Sequence, residues 1–292
     1  MKILITGATG FIGSNLLKLL IKDKNNVIYA LTRRKIKDSA NVKWIKEDFL
    51  SITDLNKLPK GIECIIHLAQ SRDYKNFPEK ACEIFSVNSY STLKLLDYGR
   101  KCKIKYFILA SSGGVTGYKN SPIYEKDPLN PTNFYLNSKC ISESLSKFYS
   151  DYFSVTVLRY YFVYGEGQRQ DAFIPFLINR IKNKLPVYVY GKEEGIKVNP
   201  IYIEDAVKAT LNSIVLKGRN IINIGGKEPV SIVKICNIIA GYLKVQPIFE
   251  RKNAIQQDLI CDIQNMKHLL NVEPGTPIKE GIKNTIYFKE NK

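Results

Sequence analysis

Tyr135-Leu-Asn-Ser-Lys139 sets a phenol and an ammonium one helical turn apart on the same face. With a hydroxyl beside them, such a pair can move a proton on or off an alcohol or ketone. An unperturbed phenol titrates near ~10, and a neighbouring cation favours its phenolate, which makes a general base usable near neutrality. Spacing alone does not select this pair, because Tyr90 to Lys94 and Tyr188 to Lys192 match it too. Context selects it: Ser111-Ser112 ends a short apolar run, Tyr106 to Ala110, and Tyr135 opens the next helical pattern. In a sheet built of strand-helix units that strand end is where ligands bind.

A second chemical signal opens the chain. Lys-Ile-Leu-Ile-Thr-Gly7-Ala-Thr-Gly10-Phe11-Ile12-Gly13 places three glycines between a strand and a helix. Gly7 permits the tight turn, Gly10 lets backbone approach a pyrophosphate, and Gly13 lets the helix pack closely, while the helix N-terminus offers N–H groups to phosphates. Thr32-Arg33-Arg34 stands where such sites often hold the adenosine ribose with a carboxylate. Two guanidiniums there permit NADP and slightly favour it. If both are merely solvated, NAD remains open.

The elements that must position these groups follow from periodicity. Strands are expected at Lys2 to Thr6, Val27 to Leu31, Val42 to Ile45, Ile62 to Leu68, Tyr106 to Ala110 and Val155 to Tyr160. Helices are expected at Phe11 to Lys24, Glu79 to Lys101 and Phe134 to Tyr152. Alternation of this kind makes a doubly wound parallel α/β sheet. Past residue 165 seven prolines, from Pro175 to Pro277, punctuate shorter elements. Residues 1–165 are therefore expected to form the dinucleotide-binding domain. Residues 166–292 should form mainly a smaller substrate-binding lobe, with some segments returning to the sheet.

Composition narrows the class. The 292 residues carry 44 Lys and Arg against 27 Asp and Glu, a net +17, spread along the whole chain without a basic run. That spread argues against a nucleic-acid face and suits an anionic small-molecule substrate. Six cysteines without a CxxC pair, and no leader sequence, read as free thiols of a cytoplasmic protein. Two histidines without ligand spacing argue against a metal site. No stretch is long and apolar enough for a membrane span.

Taken together, Gly7-Ala-Thr-Gly-Phe-Ile-Gly13, His67-Leu-Ala-Gln70, Ser111-Ser-Gly-Gly114, Tyr135-x-x-x-Lys139 and Asn199-Pro-Ile-Tyr-Ile-Glu-Asp205 resemble the extended short-chain dehydrogenase/reductase family, in particular its nucleotide-sugar epimerases and dehydratases. The resemblance covers nearly the whole chain and implies a Rossmann-type sheet. It implies that Ser112 hydrogen-bonds the reacting oxygen, that Tyr135 transfers the proton, and that Lys139 binds the nicotinamide ribose and lowers the phenol's pKa. By position, Asp48 and Phe49 would contact adenine, and Leu68, Ala69 and Gln70 would line the cofactor with Ser111, Tyr161 and Phe162. Asn88 would organise the site. Gly113, Arg169, Lys197 and Arg251 would face substrate, with Lys192 and Lys252 as further nearby cations.

The departures bear on the reaction. Gly113-Gly114 stands where the dehydratases carry an acidic pair, which disfavours dehydration. Phe162 replaces an asparagine that holds diphosphate, and Val198 and a residue near Ile255 replace two diphosphate-binding arginines. The leading expectation is an NAD(P)-dependent nucleotide-sugar epimerase acting by transient oxidation at C4. A keto-sugar reductase or dehydrogenase uses the same residues and stays open, as does a catalytically silent dinucleotide sensor. Cys140 is expected to turn from the Tyr135 face as a small buried residue. The family's four-helix dimer implies a homodimer here, with Ile84, Phe85, Leu95, Leu96, Leu145, Phe148 and Tyr149 as its apolar surface.

Overall fold

The computed structural model describes residues 1–39, 41–48, 58–191, 193–253 and 257–288. Phe49, Lys192 and Ile255 lie outside these. Seven parallel strands form the central sheet: β1 (Lys2–Thr6), β2 (Val27–Thr32), β3 (Val42–Lys46), β4 (Cys64–His67), β5 (Tyr106–Ser112), β6 (Ser154–Tyr160) and, from late in the chain, a strand at Arg219–Ile224. The order is β3-β2-β1-β4-β5-β6 and then that last strand. It reverses between β1 and β4, which opens a crevice at their carboxyl ends.

Both faces of this sheet are covered, so its strands are nearly continuous apolar runs. Successive side chains alternate between two cores. Ile3, Ile5, Ile108 and Leu158 pack with Leu16 and Leu20 of α1 (Phe11–Leu20) on one side. Leu4, Phe107, Leu109 and Val157 pack with Leu95 and Leu96 on the other. A later helix, Ile203–Asn212, packs beside α1.

Between β4 and β5 the sequence pattern predicts one helix. The chain instead forms α2 (Ala81–Phe85), a π-helical turn over Ser86–Tyr90, and α3 (Ser91–Cys102). The wider turn coincides with hydroxyls that bond back into the helix: Ser91 Oγ donates to the Val87 carbonyl at 2.6 Å and Thr92 Oγ1 to that of Asn88 at 2.6 Å. Such back-bonding competes with the regular ladder. The next helix, α4 (Phe134–Lys147), starts where predicted, with Asn133 Oδ1 accepting from the Leu136 N–H at 2.9 Å. It stops five residues early, where Ser146 and Ser150 hydroxyls take the carbonyls of Glu143 and Lys147.

These helices correct the expected docking face. Ile84, Leu95 and Leu96 are fully enclosed by their own chain, and Leu145 and Tyr149 are partly so. The apolar groups left exposed are Phe85, Tyr90, Phe148 and Tyr152.

The rest of the chain forms α5 (Phe173–Lys182), β7 (Val187–Tyr190), β8 (Lys197–Val198), α6 (Ile203–Asn212), β9 (Arg219–Ile224), β10 (Val230–Ser231), α7 (Ile232–Leu243), β11 (Phe249–Lys252), α8 (Gln264–Leu270) and α9 (Ile278–Tyr287). β7 pairs in parallel with β11, and β8 antiparallel with β10. Among the described residues, no helix is long and apolar enough to cross a membrane.

Candidate active site

The crevice is a cavity of about 500 Å³. At one end lies the glycine turn. Gly7 has φ +73°, and a Cβ there would fall 2.7 Å from the Ala69 nitrogen at the end of β4. A Cβ on Gly13 would fall 2.1 Å from the Gly7 carbonyl oxygen. Both positions therefore exclude any side chain. Gly10 precedes α1 with no side chain capping the helix, and Gly10, Phe11, Ile12 and Gly13 line the cavity. Backbone N–H groups at an uncapped helix start suit a pyrophosphate.

Thr32, Arg33 and Asp48 line this end too, joined by Glu47, which no sequence signal marks. Arg34 does not line it; its N–H bonds the Thr32 hydroxyl at 3.1 Å. Leu68, Ala69 and Gln70 form the near wall. This lining fits a dinucleotide stretched from the glycine turn towards β5.

At the other end the chemically able groups meet. Ser111 and Ser112 close β5, and Tyr135 projects from the first turn of α4 into the same cavity. The phenol donates to Gln70 Oε1 at 3.1 Å, and its ring lies 4.9 Å from that of Tyr74. Desolvation pushes the phenol above its ordinary range; the neighbouring Tyr74 phenol adds to this electrostatically and a hydrogen bond from Ser112 opposes it. Lys139 lies beneath, 3 % exposed, with Nζ donating to the Ala110 carbonyl at 3.0 Å and 5.9 Å from the Tyr135 ring centre. Burial lowers its pKa to about 8, against the raising effect of Glu143. The other two Tyr-Lys matches stay outside: Tyr90 and Tyr188 are exposed and do not line the cavity.

Asn88, buried within the π turn, ties two walls together. Its Oδ1 accepts from the Ser71 N–H at 2.9 Å and its Nδ2 donates to Ser138 Oγ at 2.9 Å. His67 is buried between Thr6 and Thr92 hydroxyls, and burial with the Lys139 charge lowers its pKa to about 3, so it is neutral.

Several expected contacts fall elsewhere. Tyr161 is 1 % exposed and lies under Gly113, whose Cβ would come within 2.5 Å of its ring. Alternation at the end of β6 turns Tyr160 to the cavity and Tyr161 to the core. Phe162, at φ +45°, packs on Phe173 with ring centres 4.8 Å apart, and Val163 takes its place in the lining. Gly113 is buried. Lys197 sits on β8 and Arg251 on β11, where its guanidinium donates to the Glu193 carbonyl at 2.6 Å; neither lines the cavity. Arg169 does, bidentate to Asp171 at 2.9 and 2.8 Å. Arg72, which carries no sequence motif, faces the same end. Cys140 is buried with Val115 and Leu136, although the Tyr135 ring touches that cluster.

Known proteins are similar to this chain in sequence and fold. Residues 3–225 match the NAD dependent epimerase/dehydratase family. An uncharacterized UDP-glucose epimerase of Bacillus subtilis is 31% identical, covering 99% of this chain and 98% of its own. A UDP-glucuronate 4-epimerase of Thermodesulfobacterium geofontis is 30% identical over 99% of this chain and 96% of its own. The structure of UDP-glucuronic acid 4-epimerase from Bacillus cereus with UDP-glucuronic acid and NAD superposes with a TM-score of 0.86, at 26% identity over 98% of both chains. The glycine turn, the strand-end serines and the Tyr-Lys helix thus stand in a matching frame, and the chain belongs to the NAD dependent epimerase/dehydratase family.

Proposed function

We propose that this protein is an NAD(P)-dependent nucleotide-sugar 4-epimerase. The observation that carries this reading is the meeting of Ser112 and Tyr135 in one cavity with an uncapped glycine turn, with Lys139 buried directly beneath Tyr135. Bound nicotinamide would supply the acceptor and donor of the C4 hydride. Tyr135 takes the proton of the C4 hydroxyl and later returns it. Ser112 holds the same oxygen by a hydrogen bond, and the Lys139 ammonium favours the phenolate that accepts the proton.

Dehydration would need an acid/base pair beside the strand end. A side chain at Gly113 would collide with the Tyr161 ring, which supports simple return of hydride and proton. Arg72 and Arg169 at the far end suit an anionic sugar nucleotide, and the related UDP-sugar enzymes make UDP-hexoses and UDP-hexuronates the first to try. The purified protein should interconvert their C4 epimers with at most catalytic NAD or NADP and no net change in reduced nicotinamide. Stoichiometric oxidation or reduction of the cofactor would establish a dehydrogenase or reductase instead.

Arg33, at the ribose end with no carboxylate closing β2, supports acceptance of NADP. A guanidinium contact to the 2′-phosphate contributes about 1.5 to 3 kcal/mol, roughly tenfold or more in affinity. Calorimetry should find NADP bound more tightly than NAD, and Arg33→Ala should remove the difference. Equal affinities in the parent would leave Arg33 a solvated charge beside Glu47.

Exposed Phe85, Tyr90, Phe148 and Tyr152, on and beside α2 to α4, support a homodimer through these helices. Light scattering at micromolar protein should report two chains, and a 33.3 kDa particle would overturn this reading.

A further inference from the structure

Behind the cavity lies a charged cluster that the reaction above does not use. Glu143 follows Lys139 by one helical turn and is 5 % exposed. Arg159 of β6, 2 % exposed, clasps it from the sheet, with Nη2 2.8 Å from Oε2 and Nε 3.1 Å from Oε1. Arg159 Nη1 also donates to the Glu125 carbonyl at 3.1 Å, and Ser111 Oγ donates to Glu143 Oε1. The pair thus spans helix and sheet behind the proton-handling residues, bonded to one of the strand-end serines.

Burying an ion pair is costly and adds little net stability compared with apolar packing. A pair retained at this position calls for another role. We infer that Glu143 and Arg159 are positioning residues that seat Ser111 at the end of β5 and balance the field in which Lys139 carries its charge. The inference rests on the reading of Lys139 as support for the Tyr135 phenolate.

The groups around Lys139 make the balance specific. Burial raises the Tyr135 phenol and the Cys140 thiol on its own helix, so neither brings a resting charge. His67 from β4 is neutral. Glu83 of α2, which packs on α4, accepts from Ser71 Oγ at 3.2 Å on the cavity side. Glu143 and Arg159 are therefore the opposed full charges bonded to each other behind Lys139, and the carboxylate that raises the Lys139 pKa does so with the guanidinium drawn onto it. Removing either one exposes Lys139 to the other.

The test reads Lys139 directly, through the pH dependence of its Cε resonance in protein labelled with 13C-lysine and assigned by its loss in Lys139→Met. Glu143→Gln leaves the guanidinium unbalanced and should move the midpoint down by about one pH unit or more. Arg159→Met should move it up by a similar amount, and the double variant should return it close to the parent value. The turnover profile of Glu143→Gln should lose its alkaline side at the same displaced pH. A midpoint unmoved in either single variant, or a double variant as displaced as Glu143→Gln, would overturn the inference. The resonance is read without substrate, so its outcome is independent of the epimerase assay.

Discussion

Tyr135→Phe is expected to lower turnover by roughly two to four orders of magnitude, the range for loss of a general acid/base. Fold and cofactor binding should survive. The variant keeps the ring that packs on Tyr74 and gives up only the hydroxyl that meets Gln70 and Ser112. Tyr90→Phe and Tyr188→Phe serve as controls. Tyr90 lies under the Lys94 ammonium at 4.6 Å, and Tyr188 is covered by Arg180 and Lys252, all away from the cavity. Steady-state rates should leave both within a small factor of the parent. Equal losses at all three positions would show that the Tyr-Lys spacing carries no catalytic meaning here.

Lys139→Met should be inactive and yet more stable. The ammonium is enclosed at 3 % exposure, and burial lowers its pKa from 10.5 to about 8. Below pH 8 both folded and unfolded chains carry the proton, so the folded state bears the full cost of the buried charge, on the order of 3 kcal/mol. Between about pH 8 and 10.5 the unfolded chain binds more protons, and the cost is relieved as pH rises. Methionine removes this cost and forfeits the hydrogen bond to Ala110, about 1 kcal/mol. The net gain of about 2 kcal/mol should raise Tm by several degrees at pH 7, with the gap shrinking above pH 8. Calorimetry at two pH values checks it, and a variant that melts below the parent at pH 7 would refute the cost assigned to the ammonium.

Sequence and structure agree where local rules and burial coincide. Gly7 and Gly13 are excluded from bearing side chains by contacts within the first turn and its neighbouring strand, and the apolar runs of β1 and β5 have no other use than a covered parallel sheet. The π turn around Asn88 is illegible in the sequence because it coincides with hydroxyl bonds that helical periodicity does not register. Tyr161 falls in the core because the exact end of β6 decides which of two adjacent tyrosines enters the cavity. Lys197 and Arg251 belong to a stretch whose short strands pair with one another in small separate sheets, so position along the chain does not bring them into the lining of the crevice. Glu143 carries an available signal, one turn beyond Lys139, but its partner Arg159 lies on a different element and only folding joins them. Lys192 and Phe49 lie outside the described residues.

The seventh strand, β9, enters the sheet after the chain has already built the wall at 167–172, and six of its residues pair with β6. The wall that bears Arg169 is thus threaded between two neighbouring strands of the sheet that bears Tyr135 and the glycine turn. Swinging one half of the molecule away from the other as a rigid body would tear that ladder. A bulky substrate must therefore enter without the two halves parting, past the rim where 70–75 meets 167–172 through Lys75 and Asp171 and through Arg169 and the Arg72 carbonyl. Crosslinking the two segments across that rim should block entry while leaving the melting behaviour of the sheet intact.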